Sequence, residues 1–143
     1  IENIDLNSLL TNIRKSNESS SHEIILQLDE IILTSGRPIQ IKRAIQNIID
    51  NSKRYSSKIH IQLSIDDKNC LIMISDNGPG IPQKKLEDVF KPFYTLDPSR
   101  NKLKGESGLG LTIARDIIRA HGGEIKLSNS ETGGLKTIIN LPI

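Results

Sequence analysis

The chain has 143 residues, and 19 Lys and Arg against 17 Asp and Glu leave a formal net charge of +2. This near-neutral charge and the 3% of aromatic residues disfavour a stacking surface, so we expect no nucleic-acid partner. The length suits a single domain over residues 1–143 that buries a core without disulfides or metals. It contains one cysteine, Cys70, no apolar run of about 18 residues and no signal-peptide pattern, so we expect no direct membrane contact.

The first quarter of the chain predicts one helix and two short strands. Asp5 is a candidate N-cap for a helix that reaches Ser16, because apolar residues follow it at helical spacing. After a serine-rich loop, the apolar runs at 24–28 and 31–33 predict two strands that pair with each other.

A longer helix is predicted from Pro38, which suits a first helical turn, to about Tyr55. Asn47, Asn51 and Arg54 fall along one edge of its apolar face, where a core gives way to a cleft. An asparagine there could offer a carbonyl oxygen to hydrated magnesium, and solvated amides on the helix flank are the alternative. The apolar face itself consists of Ile41, Ala44, Ile45, Ile48, Ile49 and Ser52.

A hairpin is predicted next, because residues 58–66 alternate as a strand with one wet face and 70–75 form a buried apolar run. Asp76 stands at the end of this second strand. Gly78 and Gly80 would let a flat ring approach the main chain while Asp76 accepts a hydrogen bond from it. An ordinary turn also fits the segment Asp76-Asn77-Gly78-Pro79-Gly80-Ile81-Pro82.

Residues 83–90 predict a short helix, which ends at a corner of aromatic residues, Phe90, Phe93 and Tyr94. The long polar segment 95–107 follows. Loops of this length within compact domains are either functional lids or disordered. Its basic side chains, Arg100 among them, suit a phosphate, and a solvated mobile loop is the alternative.

A last helix is predicted from Gly108 to about His121, opened by the run Gly108-Leu109-Gly110-Leu111. Glycines ahead of a helix expose backbone N–H groups at the positive end of its dipole, which favours an anion. Two strands, at 124–129 and 135–141, close the chain around a glycine turn.

Four of these patterns follow one another in a fixed order: Asn47-x-x-x-Asn51, Asp76-x-Gly78-x-Gly80, the Phe90/Pro92/Phe93 corner and Gly105-x-x-Gly108-x-Gly110. From about Leu6 to Leu141 the chain closely resembles the catalytic, ATP-binding domain of bacterial sensor histidine kinases, within the group of gyrase-type and heat-shock-protein-90-type ATPases. Among sensor kinases, the residues at 41–44 and 90–93 look most like those of the osmosensing type. The resemblance implies an α/β fold, the two-layer sandwich called Bergerat or GHKL, with a mixed sheet of about five strands on three helices and an ATP lid.

The resemblance also implies the cofactors ATP and Mg²⁺, held between the Asn47 helix and the lid. By analogy Asp76 accepts a hydrogen bond from the adenine amino group. Asn51 ligates the magnesium, and Asn47 supports the metal shell. Arg54 and Tyr55 match positions that touch phosphates and ribose. The residues assigned to catalysis are Asn47, Asn51 and Arg54. The further implied cofactor-binding residues are Gly78, Gly80, Ile81, Phe93, Arg100, Ser107, Gly108, Leu109, Gly110 and Leu111.

The implied activity is transfer of the ATP γ-phosphate to a histidine in two-component signalling. The acceptor would lie on a dimerisation domain upstream of Ile1, which makes the chain a fragment of a homodimeric protein. The resemblance further implies a cognate response regulator as a partner and a cytoplasmic domain whose parent is anchored in the bacterial inner membrane. An anti-sigma-type serine kinase and a nucleotide-sensing module without turnover are the alternatives.

Three positions qualify the resemblance. Asn47 stands where ATP-hydrolysing relatives carry a glutamate as general base, which favours transfer over hydrolysis. Thr95 stands where many sensor kinases carry an arginine, and Arg100 or a lid lysine could replace it. Glu106 stands where glycine is frequent, so an acid beside the phosphates could alter lid closure or nucleotide affinity.

Overall fold

The computed structural model describes residues 1–28, 30–94 and 109–143, so the predicted lid, with Arg100, Ser107 and Gly108, lies outside the described residues. The elements in chain order are β1 (Glu2–Asp5), α1 (Leu6–Asn17), β2 (Glu23–Leu28), β3 (Leu33–Gly36), α2 (Pro38–Tyr55), β4 (Lys58–Asp66), β5 (Asn69–Asp76), two 3-10 turns (Gln83–Lys85 and Asp88–Phe90), α3 (Gly110–Ala120), β6 (Glu124–Asn129) and β7 (Leu135–Pro142). Within the described ranges, no helix is both long and apolar enough to cross a membrane.

The main sheet has five strands in the order β2-β4-β5-β7-β6. Strand β2 runs parallel to β4, and the other three pairings are antiparallel. Hairpin β4–β5 was expected from the alternation of residues 58–66 and the apolar run at 70–75, and the strands of β6–β7 were expected around a glycine turn. The predicted α/β fold, a mixed five-stranded sheet with helices, is confirmed.

One face of the sheet is buried against the helices. Strand β5 buries every second residue from Cys70 to Asp76, and β7 does the same from Leu135 to Leu141. Each fully buried leucine or isoleucine contributes roughly 1.5–3 kcal/mol by leaving water. Burial also raises the pKa of the Cys70 thiol to about 11, outweighing the Leu141 backbone hydrogen bond, so this thiol stays protonated and serves as packing.

Helix α2 is the central element of the helical layer, and its bounds agree with the prediction. Pro38 occupies its first turn, and its predicted apolar face is buried without exception: Ile41, Ala44, Ile45, Ile48, Ile49 and Ser52. Because this face lies on the sheet, the residues at its edge are held in fixed positions beside the ends of β4 and β5.

The pairing predicted for the first two strands is wrong. Strand β2 pairs with β4, not with the run at 31–33, and β3 pairs with β1 in a separate two-stranded sheet. Strand β1 was not predicted at all. Two nearby apolar runs suggest a hairpin, whereas the actual parallel pair is connected through α2, a crossover that local patterns do not reveal. Asp5 is the predicted N-cap, since its Oδ1 accepts a hydrogen bond from Ser8 N at 3.1 Å.

The helix predicted at 83–90 is instead a pair of 3-10 turns. Lys85 N donates to Pro82 O at 2.8 Å, and Phe90 N donates to Glu87 O at 3.2 Å, which are both i→i+3 bonds. The tighter 3-10 geometry is common in short connecting pieces of this kind.

Candidate functional site

Asp76 lies at the C-terminal end of β5 and is only 9% exposed. Its Oδ1 accepts two backbone hydrogen bonds, from Gly78 N at 2.9 Å and from Leu135 N at 3.1 Å. Because both donors bind the same oxygen, Oδ2 is the one that an external donor would meet. A buried carboxylate held in this way can accept a hydrogen bond from an amino group of a ligand.

Asn77 fastens the start of the loop to the turn between α2 and β4. Its Oδ1 accepts from Ser57 N and Lys58 N at 3.0 and 3.1 Å, and its Nδ2 donates to Ser57 Oγ at 3.1 Å. The loop also lies directly against the end of α2, since a Cβ on Gly78 would be 2.8 Å from the Tyr55 carbonyl oxygen. Asp76, at the end of β5, and the last turn of α2 are therefore neighbours.

Asn129, at the end of β6, holds the far end of the same loop. Its Oδ1 accepts from Ile81 N at 2.8 Å and its Nδ2 donates to Ile81 O at 2.6 Å. Gly80 has φ +74, and a Cβ there would lie 2.5 Å from Asn129 Oδ1, so only glycine fits. The sequence patterns did not identify Asn129, because it is 48 residues from Ile81 and meets it only through the sheet.

The edge of α2 carries Asn47 and Asn51 one turn apart, both half-buried. Asn47 Nδ2 donates to the Gly110 carbonyl at 3.2 Å, which ties α2 to the start of α3. Amide oxygens are ligands that hard cations accept. Arg54 and Tyr55 follow in the last turn of α2.

Helix α3 begins at Gly110 and ends at Ala120, and Leu109 occupies its N-cap position. Its opening was predicted two residues earlier, at Gly108. Because of the Asn47 contact, the N-terminal N–H groups of α3 start beside the asparagine edge of α2. Leu111, predicted to bind the cofactor, is half-buried and packs against the main core and against a smaller cluster of Ile81, Val89 and Leu135.

Ile81 and Phe93 were both predicted to contact the cofactor. Ile81 is 7% exposed and packs with Val89 and Leu135 beneath the loop that follows Asp76. Phe93 is 70% exposed and has a φ of +62, a conformation rare for a residue with a side chain. Ile81 is therefore buried beneath the loop, and the Phe93 side chain is on the surface of the described residues.

Phe90 anchors the aromatic corner to α3. Its carbonyl accepts from Thr112 Oγ1 at 2.6 Å, and the guanidinium of Arg115 lies 4.3 Å from its ring centroid. Arg115 Nη1 also lies 2.6 Å from Glu87 Oε1, and its Nε lies 3.3 Å from Glu124 Oε1. Burial alone would lower the pKa of Arg115, but the two carboxylates outweigh it and raise the pKa.

This chain is similar to known proteins in both sequence and fold. A family model described as "Histidine kinase-, DNA gyrase B-, and HSP90-like ATPase" matches residues 36–143. The sensor histidine kinase GtrS of Pseudomonas aeruginosa is 35% identical over 144 residues, which cover 99% of this chain and 29% of GtrS. The catalytic domain of histidine kinase ThkA is 25% identical, with a TM-score of 0.86 over 99% of this chain and 94% of that one.

The predicted likeness to the osmosensing type is also confirmed. The histidine kinase domain of the E. coli osmosensor EnvZ is 31% identical to this chain, with a TM-score of 0.76 over 99% of this chain and 88% of that one. The chain spans 29% of the length of the curated relative GtrS, so its relatives contain much that is absent here. With a matched model over most of its length, the chain belongs to the histidine kinase-, DNA gyrase B- and HSP90-like ATPase family.

Proposed function

We infer that this chain is the catalytic domain of a sensor histidine kinase, which binds Mg-ATP and presents its γ-phosphate to a histidine of the same parent protein. The observation that carries this proposal is the buried carboxylate of Asp76, with one oxygen satisfied by backbone donors, beside a helix edge of asparagines. In this proposal the second oxygen accepts from the adenine amino group. An acceptor at that point selects adenine over guanine, which has a carbonyl oxygen there.

The amide oxygens of the asparagines along α2 are of the kind that magnesium accepts as ligands. In the described part of the chain, no cluster of three or more His, Cys, Asp or Glu side chains could hold a metal ion. Magnesium keeps several waters and is commonly shared between one or two protein oxygens and the phosphates of its substrate. Asn51 supplies such an oxygen in our proposal, and Asn47, which donates to the Gly110 carbonyl, supports the metal shell. The metal neutralises charge on the phosphates.

The phosphates would lie between the last turn of α2 and the start of α3. Arg54 and Tyr55 are assigned to phosphate and ribose contacts, and the N–H groups of residues 109–111 belong to the opening of α3, which Asn47 contacts through Gly110. Arg100, Ser107 and Gly108 are assigned to the phosphates from sequence resemblance alone. Phosphoryl transfer depends mostly on positioning and charge neutralisation, so a domain without a nucleophile can carry it.

Asn47 favours transfer over hydrolysis. A general base is needed to activate water, and an amide cannot remove its proton. We do not propose His22 as the histidine that accepts the phosphate. Its ring nitrogen Nε2 is hydrogen-bonded to the Lys53 carbonyl at 2.9 Å, and the next residue, Glu23, begins strand β2. The acceptor histidine therefore belongs to a separate dimerisation domain of the parent protein in our proposal.

For the whole protein we propose a homodimeric, membrane-anchored sensor kinase with this domain in the cytoplasm and a response regulator as the next phosphate acceptor. Residues 1–143 form one catalytic domain in this scheme. The names of the relatives support the sensor-kinase part of this scheme, since GtrS is called a sensor histidine kinase and EnvZ an osmosensor with a histidine kinase domain.

The test is incubation with γ-labelled ATP, with and without the histidine-bearing dimerisation domain of the parent protein. We expect no label on this chain alone and an acid-labile label on the partner, which identifies phosphohistidine. An acid-stable label would instead indicate a serine kinase, and free phosphate alone would indicate an ATPase. Either result would refute the proposed activity.

A further inference from the structure

The loop at residues 76–81 is held at both ends by one cross-strand pair. Asn129 and Leu135 face each other in the β6–β7 hairpin. Leu135 N donates to Asp76 Oδ1 at the first end of the loop, and Asn129 bonds to both backbone groups of Ile81 at the last. One pair of residues on another part of the sheet thus contacts both ends of the loop.

The hairpin that carries this pair is itself closed tightly. Ser130 N donates to Gly134 O at 2.7 Å, and Gly133 N donates to Ser130 O at 3.0 Å. The backbone of Gly134 lies so close to Asp76 that an added Cβ would overlap the Asp76 carbonyl oxygen. The β6–β7 turn is therefore packed against the end of β5 at Asp76, and Asn129 binds the other end of the loop at Ile81.

The two hydrogen bonds of Asn129 determine the orientation of one segment of backbone. An amide that accepts from Ile81 N and donates to Ile81 O fixes that residue's rotation about the chain direction, which a single bond could not do. Gly80 precedes it with φ +74 and has no room for a Cβ beside Asn129. The bonds of Asn129 and the conformation of Gly80 therefore depend on each other.

We propose that Asn129 is a positioning residue that fixes the loop after Asp76 and thereby sets the selectivity of the site for adenine. Asn129 acts through Ile81 and does not touch the nucleotide. This inference rests on the proposed function, because the loop is taken to be one wall of the base pocket. The hairpin end is then as much a part of the pocket as the loop that carries the sequence pattern.

The variants Asn129→Ala and Asn129→Asp test this proposal in the 143-residue chain. Asn129→Asp keeps the acceptor for Ile81 N and the shape of the side chain, but loses the donor to Ile81 O. Ser128→Ala is the matched control, since Ser128 is the exposed neighbour on the same strand. Calorimetry gives the affinities for ATP and GTP, and amide exchange of Ile81 is measured without nucleotide.

We expect Ile81 to exchange at least about tenfold faster in Asn129→Ala, because its acceptor is lost. ATP affinity falls about tenfold and the ratio of ATP to GTP affinity falls with it. Asn129→Asp is intermediate and Ser128→Ala matches wild type. A role confined to stability would lower the unfolding temperature without changing the ratio.

Unchanged exchange of Ile81, or an unchanged ratio of ATP to GTP affinity in a folded Asn129 variant, would overturn the proposal. If Asn129→Ala does not fold, the isosteric Asn129→Asp supplies the same comparison. A wild-type chain that binds no ATP contradicts the proposed function instead, and the exchange of Ile81 then still decides whether Asn129 holds the loop.

Discussion

Leu135 donates its backbone N–H to Oδ1 of Asp76 across 3.1 Å, joining residues 59 positions apart in the sequence. A central strand and the last strand of the chain thus meet at one carboxylate. Because Gly78 N binds the same oxygen, the orientation of the carboxylate is determined by the main chain. The site is therefore formed before any ligand arrives.

Asp76→Asn should separate folding from recognition. The amide oxygen of asparagine can still accept from the two backbone donors, so the protein should fold, but its Nδ2 faces the adenine amino group as a second donor. We expect ATP affinity to fall roughly 10- to 100-fold, the range for losing a charge-assisted hydrogen bond. Calorimetry with ATP and GTP measures it.

Asp66→Asn is the control, because Asp66 is an exposed aspartate at the end of the neighbouring strand β4. It should leave both affinities unchanged. Retention of the wild-type preference for ATP over GTP in Asp76→Asn would contradict the role of Asp76 in base recognition.

The two glycines of the β6–β7 turn should respond differently to alanine. A Cβ on Gly133 meets nothing within 4 Å, so its cost is conformational, from φ +104, and should be roughly 1–3 kcal/mol. A Cβ on Gly134 would overlap the Asp76 carbonyl oxygen and must move the strand end. Urea unfolding should show the larger loss for Gly134→Ala, and only this variant should also lose ATP affinity. Wild-type ATP binding by Gly134→Ala would show that the contact does not position Asp76.

Asn51→Ala should weaken ATP binding only when magnesium is present. The half-buried amide is on the edge of α2, so its loss leaves the core intact while removing an oxygen ligand. We expect a loss of at least about tenfold in affinity with magnesium, the scale on which lost metal-site groups act, and no change in EDTA. Asn12→Ala, at an exposed asparagine of helix α1, is the control. Equal affinities of wild type and Asn51→Ala in magnesium would refute the assignment.

The sequence predicted best those features that short-range periodicity controls. Helix α2 and hairpin β4–β5 follow from spacings of three to four and of two residues, and both were predicted with nearly correct bounds. The partners of β2 and β3 could not be predicted, because strand pairing depends on which distant segments meet. The same holds for Asn129, whose contact with Ile81 exists only once β6 is in place.

Acid should weaken the contact between α3 and β6. Arg119 donates to both oxygens of Glu124 at 3.1 Å, and this bond, with further donors from Ile125 and Arg115, lowers the pKa of Glu124 below its ordinary 4.5 despite partial burial. A lowered carboxyl pKa adds stability that is present above pH 4.5 and is lost as pH falls through the folded pKa.

Glu124→Gln should therefore be less stable than wild type near pH 7, by less than about 1 kcal/mol because the side chain is more than a third exposed. The difference should shrink as the pH falls below 4.5. Urea unfolding at several pH values measures it, with the exposed Glu131→Gln as control. A difference that stays constant across this range would exclude Glu124 as a source of the acid dependence.

The family match begins at residue 36, but the folding unit begins earlier. Leu6 donates its backbone N–H to Ile32 O at 3.0 Å, and both side chains are buried in the same core as helix α2. Truncation at the edge of the match would remove six members of that core, Ile4, Leu6, Leu10, Ile13, Ile24 and Ile32, and would uncover the apolar surface they occupy. An expression fragment that folds must therefore retain the amino-terminal residues, because motif boundaries and packing boundaries differ in this domain.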